Sequence, residues 1–83
     1  MIYIVGGQYR HCMDVADDAG LSPHQWVHLT TPIQLIGTEG ANVVLLDTAS
    51  KLPLYEPLMD ELAARSAVVW TEFELLQEGR VPR

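Results

Sequence analysis

The stretch Ile2-Tyr3-Ile4-Val5-Gly6-Gly7-Gln8-Tyr9 decides the fold. Four β-branched or aromatic residues closed by two glycines read as a buried strand entering a tight turn. From Tyr9 the period changes. Tyr9, Cys12, Met13, Ala16 and Ala19 recur at helical spacing, and Gly20 stands where a C-terminal cap glycine belongs. The unit is strand, glycine turn, amphipathic helix.

Outward from it the alternation repeats. Ser22-Pro23 and Thr31-Pro32 each carry a cap followed by a proline suited to a first helical position. Between them Trp26-Val27-His28-Leu29 reads as a short strand, and the second proline opens a turn or two through Ile36, stopped by Gly37. Residues Asn42 to Leu46 are apolar on both faces, as a central parallel strand requires. Asp47-Thr48-Ala49-Ser50-Lys51 is a polar loop, and Leu54/Tyr55 to Arg65 is a second helix with Leu58, Met59, Leu62 and Ala63 as its buried stripe. Pro57 fits only because it falls in the first turn. Ala67 to Trp70 is a fourth strand, and Thr71 and Glu74 have capping-box spacing for a terminal helix over Glu72–Glu78 that ends at Gly79. Strands alternating with helices predict an α/β fold: a small four-stranded parallel Rossmann-like sheet, order 2-1-3-4, with helices on both faces and one domain over residues 1–83.

At 83 residues, 48% hydrophobic and with one cysteine, the chain is too apolar for disorder and cannot bridge internally. A chain this short buries only about 60–65% of its unfolded surface, which leaves little room for a large catalytic cavity. No apolar run approaches the roughly 20 residues of a membrane helix, and no basic leader precedes the first strand, so a cytoplasmic, membrane-free setting is expected. The net charge is −6, and the first 64 residues carry only two cations, Arg10 and Lys51, against eight carboxylates. Phosphate backbones and anionic membranes are held by clustered Lys and Arg, so nucleic acid is not an expected partner.

Ligands of open parallel sheets bind beyond the strand carboxyl ends, where the strand order reverses. Here two loops would line that crevice, and both cations fall in them. The candidate ligand residues are Gly6, Gly7, Arg10, Asp47, Thr48 and Lys51. Glycines admit a close backbone approach, Arg10 or Lys51 would neutralise an anion, and Asp47 would hold a sugar hydroxyl or a metal-bound water. The alternative is a plain strand-to-helix turn with solvated cations. Neither a third glycine in G-x-G-x-x-G spacing nor a Gly-Lys-Ser/Thr end is present, and no cofactor is expected.

No catalytic constellation emerges. His11-Cys12 invites a nucleophile reading, but a phosphatase-type loop would place an arginine where Asp18 stands. Cys12 also lies on the helix's apolar stripe, which favours a buried structural role. His11, His24 and His28 with one cysteine lack the spacing of a zinc site, so no metal is expected.

Asp14, Asp17 and Asp18 oppose one another and the helix dipole. They serve either solubility or an acidic face for a basic partner. With Trp70 and Phe73 they form the candidate interaction face. Two open sheet edges and a heavy apolar load predict a homodimer.

Residues 1–48 also resemble small actinobacteriophage proteins with a Rossmann-like β/α pattern. The likeness is carried by Met1-Ile2-Tyr3-Ile4-Val5-Gly6-Gly7 with Tyr9-Arg10, Gly20-Leu21-Ser22-Pro23 to Trp26, Thr31-Pro32 to Leu35, and Val43-Val44-Leu45-Leu46. The resemblance implies expression in a bacterial host, with a host protein as a potential target, and carries over no catalytic residue.

Overall fold

The computed structural model describes residues 2–35, 37 and 40–74. Strand β1 (Ile2–Val5) is followed by helix α1 (Tyr9–Asp18), β2 (Trp26–His28), a 3₁₀ turn (Pro32–Leu35), β3 (Asn42–Leu45), a second 3₁₀ turn (Ala49–Lys51), helix α2 (Tyr55–Ala64) and β4 (Val68–Thr71). All strand pairs are parallel, in the order β2-β1-β3-β4. This is the doubly wound, Rossmann-like arrangement that the alternating pattern predicts. Residues 47–51 depart from the expected loop, because Ala49–Lys51 tighten into 3₁₀ geometry.

Successive strand residues feed opposite faces of the sheet. Ile4 and Val44 join Cys12, Val15, Ala16, Ala19 and Trp26 beneath α1. Val5 and Val43 join Leu29, Leu35, Ala49, Leu58 and Leu62 on the α2 side. Two helix stripes differ from expectation. In α1, Val15 is buried while Tyr9 and Met13 are exposed. In α2, Leu58 and Leu62 are buried but Ala63, one residue further around the helix, faces solvent. Tyr9 nevertheless fastens α1 to β2. Its ring stacks on Trp26 with centroids 5.6 Å apart and tilts over His28 at 5.7 Å.

Short polar side chains fix the connections. Gln34 Oε1 accepts the Thr30 and Thr31 N–H groups at 2.8 and 3.0 Å, while its Nε2 donates to the His28 carbonyl at 3.1 Å. Ser22 N–H donates to Gln25 Oε1 at 2.8 Å. The predicted capping box is present: Thr71 N–H donates to Glu74 Oε1 (3.0 Å) and Glu74 N–H to Thr71 Oγ1 (3.1 Å). Residues 72–74 begin a helical turn, and the rest of the expected terminal helix lies outside the described residues.

Both helices end in the same hydrogen-bond pattern with different residues. After α1, Gly20 sits at φ 78°, Gly20 N–H donates to Asp17 O, and Leu21 N–H to Ala16 O. After α2, Ser66 takes the same left-handed place at φ 55°, with Ser66 N–H on Ala63 O and Ala67 N–H on Leu62 O. An L-residue loses roughly 1–2 kcal/mol there, partly offset by the freedom glycine would add to the unfolded chain. Ser66→Gly should therefore stabilise the protein by up to about 1 kcal/mol, read as a higher urea midpoint at unchanged slope. A lower midpoint would show that the serine side chain contributes more than its backbone costs.

Candidate functional site

The parallel register brings the strand carboxyl ends to one level. Val5 pairs with Leu45 and Leu45 with Thr71, so Gly6-Gly7, Leu46-Asp47 and Glu72-Phe73 leave the sheet side by side. In parallel sheets this is the end where ligands sit.

Between the loops after β1 and β3, the chain meets itself. Gly7 N–H donates to Thr48 Oγ1 at 3.0 Å. A Cβ on Gly7 would stand 2.7 Å from the Thr48 carbonyl oxygen and 3.3 Å from Lys51 Cβ. At Gly6 the added atom would meet Cys12 Sγ at 2.7 Å and a Leu46 methyl at 2.9 Å. Neither glycine has positive φ, so both are held by space rather than by dihedral. The structure thus brings Gly7, Thr48 and Lys51 together and packs Gly6 on the core, while Arg10 lies exposed in the first turn of α1.

The open space lies one strand over. A cavity of about 330 Å³ at the ends of β3 and β4 is lined by Leu45, Leu46, Asp47, Thr71, Glu72 and Phe73. At its side, His11 reaches across from α1. Its Nδ1 lies 2.9 Å from Thr48 Oγ1 and its Nε2 lies 3.2 Å from Glu72 Oε1, the His11 and Glu72 side chains each being about one-third exposed. One ligating atom from each of His11, Asp47 and Glu72 can be chosen so that all three lie within 4.8 Å of one another. Glu72 Oε1 is shut off from solvent and accepts no aligned hydrogen bond, and Trp70 Nε1 is likewise buried without a partner among the described residues.

His11 and Glu72 are the residues that sequence reasoning missed as a pair. The available signal was position: Glu72 directly follows β4, and His11 lies in the first turn of the helix that follows β1, at the sheet end where chemistry concentrates. Of the other singled-out residues, Asp14, Asp17 and Asp18 sit on the exposed side of α1. Trp70 packs under the α1 cluster, and Phe73 is 71% exposed beyond β4. His24 is exposed, and His28 Nε2 is 3.0 Å from the Gly6 carbonyl.

Cys12 is fully buried and free. Burial raises its thiol from 9.0 to about 11, with a backbone hydrogen bond acting weakly the other way. That holds it as a protonated core residue at neutral pH, as its place on the apolar stripe predicts. No protein-family model, curated protein or solved structure matches the chain, so the likeness to phage proteins rests on its residues alone. Among the described residues no helix is long and apolar enough to cross a membrane.

The thiol has a stability consequence with a definite sign. The folded protein holds this proton more tightly than the unfolded chain, so the contribution is complete below pH 9 and lost as pH rises to about 11. The loss attributable to Cys12 should total about 2–3 kcal/mol. Urea unfolding of wild type and Cys12→Ala across that window should show the gap between them shrinking with pH. A gap that stays constant would mean that the Cys12 thiol does not carry the loss.

Proposed function

We propose that this is a non-enzymatic α/β domain that acts through protein–protein contact, with the outer edge of β4 as the contact and a second copy of the chain as the partner. One observation carries the reading. In β4, which ends the strand order, Val68 and Val69 are 44% and 48% exposed although they point to opposite faces. The strand Val68-Val69-Trp70-Thr71 has no charge or proline of the kind that blunts open edges, so its outer backbone, unpaired among the described residues, is a template for another strand. An identical edge run antiparallel about a two-fold axis meets this need and closes the assembly at a dimer. The phage setting adds a bacterial host protein as another occupant for the same edge.

A second reading has its own observation. The cavity between the β3 and β4 ends is within the size range of small-molecule sites, which supports a nucleotide or phosphometabolite module. Its lining carries Asp47 and Glu72, so an anionic ligand would need a cation to join it there.

Sedimentation of wild type against Val69→Lys tests the edge contact. A charge on the edge should convert a dimer to a monomer with an unchanged far-ultraviolet spectrum. A wild-type chain that sediments as a monomer at every concentration overturns the dimer.

A further inference from the structure

The arrangement around His11 sets a ring nitrogen 3.2 Å from a solvent-excluded carboxylate oxygen with no aligned hydrogen bond between them. Thr48 Oγ1 already accepts the Gly7 N–H, and its single proton can go to only one place. If that proton is donated to His11 Nδ1, the proton on Nε2 faces Glu72 Oε1 at 3.2 Å without forming an aligned hydrogen bond. If instead Nδ1–H donates to Thr48, the Nε2 lone pair confronts a solvent-excluded carboxylate oxygen at the same distance. In the first arrangement the Nε2–H is a poorly aligned donor to the buried Glu72 oxygen, and in the second that oxygen has no donor, which is unfavourable for an ionised group. With both ring nitrogens protonated the two side chains form an ion pair. A metal ion between Nε2 and the carboxylate removes the conflict in the second arrangement, and Thr48 then orients the imidazole as outer-shell partners of metal-bound histidines do.

We infer that His11 Nε2, Asp47 and Glu72 form a binding site for one divalent transition-metal ion of the zinc type, at the carboxyl end of the sheet. The donor set of one imidazole and two carboxylates suits such ions, whereas magnesium and calcium favour all-oxygen shells. Zinc bonds of about 2.0–2.2 Å place tetrahedral ligand atoms about 3.4 Å apart. The His11–Glu72 pair already stands at 3.2 Å, and the whole set lies within 4.8 Å, so a rotation of the exposed Asp47 side chain closes the site. The three ligands come from three elements, each held independently: α1, the β3 loop and the end of β4, where the Thr71–Glu74 box fixes the backbone beside Glu72. Three protein ligands leave a fourth position open, and the adjoining cavity lies against Asp47 and Glu72. An ion there supplies the positive charge that an anionic ligand of this cavity would need. The inference is independent of whether the chain dimerises.

The test is calorimetric titration of the metal-stripped full chain with zinc chloride, with thermal unfolding in parallel. Wild type should bind one ion per chain and unfold at a higher temperature with zinc, and excess magnesium should not compete. Asp47→Asn, an exposed and isosteric change, and Glu72→Gln should each weaken binding by at least about tenfold. Asp17→Asn, on the far acidic face, should leave it unchanged. Because His11 also braces Thr48, His11→Ala can lose binding through misfolding, which makes Asp47→Asn the deciding variant. Absence of zinc binding by folded wild type, or binding that survives Asp47→Asn undiminished, overturns the site and leaves His11 and Glu72 as an ion pair only.

Discussion

One hydroxyl ties the site to the sheet. Thr48 Oγ1 receives the Gly7 amide from the loop after β1 and meets His11 on α1, all from the loop after β3. The Gly7 amide would otherwise be an orphan donor in a half-buried turn, a loss of about 1–3 kcal/mol. No side chain can intervene, because the Thr48 carbonyl occupies the place of a Gly7 Cβ. The glycine turn that ends β1 is therefore shaped by its neighbour strand. Helix α1 follows this turn at Tyr9 and carries His11, the Thr48 partner, in its first turn.

The rest of the molecule keeps that junction rigid with few parts. Ile4 and Val44 press on α1 residues, and Val5 and Val43 press on α2 and both 3₁₀ turns, so the two central strands are dry on both sides. The outer strands are treated differently. β2 is only three residues long and sits under Tyr9, whereas the β4 valines are left half-exposed by the described residues. Among the described residues the asymmetry follows from the strand order, since each face carries one α-helix packed on residues of β1 and β3 and little covers the β4 edge.

Much of this frame was legible from residues alone. Ile2–Val5 and Asn42–Leu45 are β-rich runs too short for helices and too apolar for an exposed strand, and the glycine at 20 marked a helix end through its missing Cβ. The end of α2 was less legible, because a serine holds the left-handed position there and serine carries no such signature. Tyr9 and Val15 exchanged roles because helical spacing alone does not fix which side of a stripe meets the sheet. The site was legible only as a location. Asp47 and Thr48 were named from the strand-end rule, but His11 and Thr48 are 37 residues apart, and Glu72 joins them only through the β3–β4 register. Spacing motifs report ligands from one segment and are blind to a set assembled from three.

The place of β1 between β2 and β3 also sets the order in which the molecule can acquire structure. The strand at the centre of the sheet precedes both of its partners in the chain: Ile2 is matched first with Trp26 and then with Asn42. As the chain emerges, this apolar segment has no neighbour to hydrogen-bond until β2 arrives, and it stays half-satisfied until β3 is made. Closing such separated parallel pairs incurs loop entropy before any reward, which slows folding relative to a helical protein of the same size. The helix α1, ten residues long with Asp17 and Asp18 against its dipole, is marginal by itself and gains its stability as it packs on the apolar strand it follows. The same topology that makes the core two-sided thus makes α1 and β1 depend on each other before the sheet closes.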